Sequence, residues 1–441
     1  MAKCRTDCLF VATVLFSTVT ACVQTPTNSM NIDPAAADRI LAAHTVESEA
    51  VVAADDSFLA VNNTYGDIAS RVLSRRPLGS IMTLQAARLN GDAHDRERLP
   101  KLTPSASVQE DGDGVVRLQL DQTLYTSGSF QAERRALNAA TASATVEHLI
   151  AASTRVADTI LLYLEATQHA QTADVHESFE TRYAQFVSQA RRRLDGGIGD
   201  RTEMATFELK WLESRLQKER SLADARVARA QVRELTGGLS LPEVPPDITL
   251  VAPRSEALDI LQLYAVRAET RAQRDRVRSR QYPTITLEAY AEKNLADGRL
   301  NDGVSLGVGV PVALGFRNAL DVKAANAELG AVELEIESTR RDLESTLAQI
   351  NARIARDTSQ RELLKELLAA SAARVSGFDR EFSSGTVSFA EAVSVLETYK
   401  RAQLDLLAND YGVRRDQVEL ARLSGQLAAD GSLLESPVSR P

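Results

Sequence analysis

Aromatic side chains are scarce in this chain: Phe, Tyr and Trp make up 5% of 441 residues, with a single Trp. A globular enzyme built on a large aromatic core is not expected from such a composition. Cysteine is nearly missing. Cys4, Cys8 and Cys22 are the only three, so no disulfide framework can brace the body, and its stability must come from packing. Positive charge is not in excess either. The net charge is −9 with both signs interspersed, which speaks against a nucleic-acid partner. No apolar run of 18 residues occurs outside the N-terminus, and the mean hydropathy is −0.19; a conventional helical membrane protein is excluded. No Walker loop is present, so any energy source belongs to a partner. Helix breakers are missing where they would matter most. Residues 130–194 hold neither Pro nor Gly, and residues 318–382 hold no Pro and only Gly330 and Gly377.

What is present is a duplication. Alternating strands lead into a very long helical run, a glycine break, a returning helix and a closing Leu-x-Gly. The first copy has Gly197 and Leu235-Thr236-Gly237; the second has Gly385 and Leu423-Ser424-Gly425. Break and close are 40 residues apart in both copies, and the copies lie 188 residues apart. A repeat on this scale implies one body of two similar halves rather than several unrelated domains. The first repeat is expected over 58–240 and the second over 255–426. Pro242, Pro245, Pro246 and Pro253 mark the linker 241–254, and a disordered tail is expected over 427–441.

The N-terminus reads as a targeting segment over 1–21. Lys3 and Arg5 precede a short apolar stretch that is too brief to span a bilayer. Val19-Thr20-Ala21-Cys22 closes it and resembles a bacterial lipobox, making Cys22 a lipid-attachment candidate. Ordinary cleavage after Ala21, with Cys22 an incidental thiol, is the alternative. Residues 22–57 then form a tether, and Val23 in place of Asp points to the outer membrane.

Four strands follow from strict alternation, over 101–109, 115–124, 283–292 and 304–313. Leu102, Pro104, Ala106 and Val108 share one face of the first strand, and Val304, Leu306, Val308, Val310 and Val312 share one face of the last. Each strand has about the length that a tilted strand needs to cross a bilayer. Four cannot close a cylinder, because the smallest barrels use about eight, and an open edge in lipid leaves unpaired backbone groups. Copies of the chain must therefore complete the wall. A soluble sheet packed on its own helices is the competing reading.

Helices are expected over 128–195, 200–236, 255–280, 316–382 and 386–424. A run of 65 residues makes a rod of about 97 Å. Leu329, Val332, Ile336, Leu343 and Ile350, with Thr339 and Thr346 between them, give the second rod a coiled-coil stripe. Rods of this length need lateral partners to be stable.

The order of these units resembles the TolC-type outer-membrane factor family from about Phe58 to Gly425. The residues that carry it are Ser384-Gly385-Thr386 leading into Glu391-Ala392-Val393-Ser394-Val395-Leu396, the closing Leu-x-Gly, and the corners Leu124-Tyr125-Thr126-Ser127-Gly128 and Pro311-Val312-Ala313-Leu314-Gly315. The resemblance implies a mainly α fold with a small β part: a homotrimer whose four strands per chain form a twelve-stranded outer-membrane barrel, continued by a periplasmic helical tunnel. It also implies partners, namely outer-membrane lipid, a periplasmic adaptor (membrane fusion) protein and an inner-membrane transporter. The tips Gly197, Ile198 and Gly199, and Gly385, Thr386 and Val387, would meet the adaptor; by themselves they also serve as simple helix reversals. Glu203 and Glu391, each six residues past its glycine, would belong to a periplasmic gate. Three copies of Glu391 around an axis would repel one another and disfavour anions. Where the family often carries a second acid one turn later, this chain has Ser394. A solvated carboxylate at a helix N-terminus is the plainer reading of both glutamates. Arg201, Phe382 and Phe389 lie near the tips.

Other motifs dissolve on inspection. Gly303-Val304-Ser305-Leu306-Gly307 matches the nucleophile-elbow pattern, yet Ser305 sits within an alternating strand rather than at a strand-to-helix turn. His169 and His176 are seven apart, too far for a shared metal on one helix face. Arg191-Arg192-Arg193 suits a helix C-terminus. The expectation is a channel without catalytic residues, cofactor or metal, serving a tripartite efflux pump or type I secretion system. The alternative is a structural periplasmic coiled-coil lipoprotein.

Overall fold

The computed structural model describes residues 59, 62–75, 79–108, 114–197, 200–250, 257–295, 298–309, 317–384 and 389–427. The targeting segment, Cys22, the tether 22–57, Ile198, Gly199, Gly385, Thr386, Val387 and the tail from residue 428 lie outside them. Among the described residues two helices come first, α1 (Asn63–Arg75) and α2 (Ser80–Arg96). Strands β1 (Lys101–Val108) and β2 (Gly114–Tyr125) lead into α3 (Ser129–Asp195) and α4 (Arg201–Thr236). The second half repeats the order with α5 (Leu258–Ser279), β3 (Thr284–Asn294), β4 (Leu300–Gly309), α6 (Arg317–Ser384) and α7 (Phe389–Leu423).

The two long helices have 67 and 68 residues, and at 1.5 Å per residue each spans about 100 Å. α3 packs along α4 and α5, and α6 along α5 and α7. The Leu-x-Gly repeat is a helix stop. Gly237 and Gly425 both take φ 73°, where a side chain would be strained. Gly238 N–H then donates to Arg233 O and Gln426 N–H to Ala421 O, closing each helix end.

The sheet is antiparallel in the order β1-β2-β3-β4. Its register keeps the two faces separate. Leu102 pairs with Leu120, Pro104 with Leu118 and Ala106 with Val116. Leu118 and Leu120 pair on their other side with Ala291 and Ala289. Leu287 and Ile285 then meet Leu306 and Val308. This apolar face is bare: Val304, Leu306 and Val308 are 71, 64 and 60% exposed, and all eight residues of β1 are exposed. The soluble alternative required a face covered by the chain's own helices, and no such cover is present among the described residues. Among the described residues β1 and β4 are open edges.

One boundary moves. β4 begins at Leu300, four residues before the expected start, and the turn shrinks to the segment after Asn294, closed by Asn294 N–H donating to Arg299 O. The alternation of apolar residues starts only at Val304, but ladder pairing needs backbone groups alone. It continues outward through Asp302↔Ala291 and Leu300↔Lys293. Gly91 lies inside α2 without ending it.

A central core joins α1, α3 and α7 around Tyr65, Ile68, Val72, Val156, Ile160, Tyr163, Leu164, Tyr411 and Val418. The Pro-rich linker wraps this core. Tyr163 Oη donates to Pro242 O at 2.9 Å and Tyr65 Oη to Pro246 O at 3.0 Å. Asn62 makes two further bonds to the backbone of Thr249. Burial pushes both tyrosine hydroxyls far above their ordinary range, so they remain donors.

Candidate functional site

At the first tip, α3 ends in Gly196 and Gly197, the latter at φ 74°. Asp200 caps α4 by accepting from Thr202 N–H at 3.0 Å. Glu203 sits half-buried in the first turn, where helix polarity favours a carboxylate. Burial nevertheless raises its pKa, with the Asp200 charge adding to the rise and Arg193 opposing it. Arg191 reaches Glu208 across the hairpin at 3.5 Å.

In the second hairpin, Glu391 occupies the first turn of α7 and accepts from Arg374 Nη2 on α6 at 2.7 Å. Both side chains are about half exposed. Ser394 is exposed on the same helix. Between them Ala392 turns inward, with Leu396 one turn further on, and both are fully buried against Phe179, Tyr183, Phe186 and Phe207 of the first hairpin. Glu203 and Glu391 are thus each held in their own hairpin.

The link between hairpins lies at the residue after Leu396 and was not legible beforehand. Glu397 Oε1 accepts from Tyr183 Oη and from Lys400 Nζ, both at 2.8 Å, with Lys210 Nζ at 4.0 Å. One carboxylate on α7 therefore gathers groups from α3 and α4. Burial works to raise the Glu397 pKa, but the bonds from Lys400 and Tyr183 and the two lysine charges outweigh it and hold the carboxyl below the usual range. No local spacing signals this pairing, since Tyr183 and Glu397 are 214 residues apart.

His169 and His176 line a cavity of about 540 Å3 between α3, α4 and Arg415 of α7. His176 is buried, and burial followed by the nearby Lys400 charge lowers its pKa. Among the described residues no group of His, Cys, Asp and Glu could hold a metal ion. Ser305 lies inside β4 opposite Glu288, on the polar face of the sheet. That face also carries Arg117, which meets Glu292 at 3.4 Å and lies 5.0 Å from the Tyr290 ring centre. Gly303 makes room beneath the same ring, where an added Cβ would come within 2.9 Å. Among the described residues no helix is long and apolar enough to cross a membrane.

Residues 252–426 match the family model described as outer membrane efflux protein. Over these residues, in its second half, the chain is similar to that family. Among curated proteins it is similar to the outer membrane efflux protein BepC of Brucella suis biovar 1 (strain 1330), 23% identical over 295 residues. That match spans 62% of this chain and 63% of the relative's length. Among solved structures, CusC, described through its folding and transmembrane channel formation, superposes with a TM-score of 0.73 at 15% identity, covering 82% of this chain and 92% of the other. The outer membrane protein VceC of Vibrio cholerae gives 0.72 at 13% identity, covering 82% and 95%. These likenesses carry the fold: a mainly helical chain with a small antiparallel sheet. The family is one of channels rather than enzymes.

Proposed function

We propose that three copies of this chain close a twelve-stranded barrel in the outer membrane and continue it into the periplasm as a helical tunnel. The assembly is a passive exit duct of a tripartite efflux pump or type I secretion system. The observation that carries this reading is the open sheet. Its apolar face is uncovered, both edge strands lack partners among the described residues, and an open edge in lipid leaves backbone groups that nothing there can satisfy. The helices need neighbours too. Leu209, Leu212 and Leu216 on α4, and Leu334, Leu363 and Leu367 on α6, are each between 47 and 73% exposed.

In this reading the polar face with Arg117, Asp121, Glu288 and Glu292 lines the bore. A periplasmic adaptor and an inner-membrane transporter engage the tips formed by Gly197, Ile198 and Gly199, and by Gly385, Thr386 and Val387. Glu391, Glu203 and Ser394 take part in the gate there. Cys22 is the lipid anchor, and the repeats occupy 58–240 and 255–426. The test is reconstitution of the full-length protein in lipid bilayers. A heat-modifiable trimer with discrete conductance steps is expected. A monomer extractable without detergent would support the coiled-coil lipoprotein and end the channel reading.

A further inference from the structure

All four strands meet the helices at one end of the sheet. β1 starts there at Lys101 and β3 at Thr284, while β2 ends there at Tyr125 and β4 at Gly309; both hairpin turns lie at the other end. Four arginines lead into that end. Arg96 and Arg98 precede β1, and Arg278 and Arg280 precede β3; all four are exposed. Such a concentration runs against the −9 net charge of the chain.

The nearby carboxylates are already engaged. Asp95 pairs with Arg134 at 3.2 Å, Asp275 with Arg274 and Arg135, Glu133 with Arg276 at 2.7 Å, and Glu97 with His94 at 3.0 Å. Among the described residues none lies within ion-pair distance of the four arginines. Arg98 instead lies over the Phe130 ring, 4.0 Å from its centroid. Exposed apolar groups stand beside these charges: Leu99, Leu102, Tyr125 and Tyr282 are 62, 59, 54 and 50% exposed. Tyr125 pairs with Ile285, whose neighbours Leu287 and Ala289 continue the apolar face. Bare leucine, tyrosine at the edge of an apolar belt, and unopposed arginine just beyond it form the profile of a lipid–water boundary with anionic headgroups. The guanidinium fork also suits phosphate oxygens.

The structure assigns to this end a collar that binds the phosphates of anionic phospholipid headgroups surrounding the barrel, through Arg96, Arg98, Arg278 and Arg280. The assignment rests on the barrel reading above. Its occupant follows from charge complementarity and from continuity with the uncovered apolar face.

The test reads the lipids retained around the full-length protein after insertion into equimolar phosphatidylglycerol and phosphatidylcholine bilayers. Phosphatidylglycerol is expected to be enriched at least about five-fold, the contribution of one fully engaged arginine near a membrane surface. Molar salt should erase the enrichment. R278Q/R280Q should reduce it, R278K/R280K should keep most of it, and R96Q/R98Q/R278Q/R280Q should bring it to about one. Equal retention of the two lipids, or enrichment unchanged in the quadruple variant, overturns the collar while leaving an inserted trimer intact. Loss of enrichment on adding inorganic phosphate at matched ionic strength assigns the arginines to free phosphate and overturns the lipid assignment. Failure to insert as a channel in either lipid removes the barrel reading and the collar together.

Discussion

The two helical hairpins share an architecture but differ in what is added to their seams; ion pairs occur in both, as Arg191 with Glu208 and Lys218 with Glu180 show in the first. In the first, α3 and α4 meet through aromatic rings: Phe186 and Phe207 stack with centroids 5.2 Å apart, and Phe179, Tyr183 and Trp211 pack around them. In the second, α6 and α7 are bridged by arginines. Arg353 takes both oxygens of Asp416, Arg361 meets Asp410 at 2.7 Å and Arg374 meets Glu391 at 2.7 Å. Burial of rings is non-directional and insensitive to salt, whereas half-exposed ion pairs contribute little each and are screened. The two copies therefore differ in that stacked rings reinforce the first seam and arginine–carboxylate pairs dominate the second, with Glu397 joining them.

The largest effect should follow from breaking the first seam. Phe207→Ala removes a fully buried ring and should cost about 3–5 kcal/mol, read as a fall in the thermal midpoint. A loss below about 1 kcal/mol would mean that the rings do not carry the seam. Glu397→Gln tests the junction. It leaves Lys400 and Lys210 without their shared carboxylate and the Tyr183 hydroxyl on a weaker acceptor, which should cost about 1–3 kcal/mol. Equal stability of the variant and the parent in chemical denaturation would dismiss the junction as structural.

Acid sharpens the comparison in two stages. The His176 pKa is lowered from 6.5 in the fold, so its contribution is present above that value and is lost as pH falls through the lower folded one. The Glu397 pKa is lowered from 4.5, so its contribution survives that first stage and erodes only below about 4.5. Both groups face Lys400, and both lie where the hairpins meet. Stability measured against pH should show the upper stage vanish in His176→Gln and the lower one shrink in Glu397→Gln. The smallest effect belongs to the second seam. Arg361→Gln should cost about 0.2–1 kcal/mol in low salt and nothing measurable in molar salt. A salt-independent loss would show that Arg361 acts through packing instead.

Much of this molecule is legible from local pattern. The alternation in β2 and β3 sets which residues share a face, and the lack of Pro and Gly over residues 130–194 yields one unbroken helix. Leu-x-Gly marks two helix stops because only glycine takes φ near 73° without strain. The tip glutamates were also found by spacing, but their partners were not. Arg374 is 17 residues from Glu391 along the chain, and Tyr183 is 214 from Glu397. The start of β4 was misplaced for a related reason: backbone pairing with β3 continues where side-chain alternation has ended.

By itself the sequence determined the element order, the two faces of the sheet, the helix lengths and a strand count too small to close a wall. These depend on periodicities of two and of three to four residues, which each segment carries within itself. Only the tertiary structure decided that tyrosines of α1 and α3 hold the Pro-rich linker, that Glu397 ties three helices, and that stacked rings reinforce the first seam. Which side chains meet across two long helices depends on their crossing and axial register, and no short stretch of chain encodes either one.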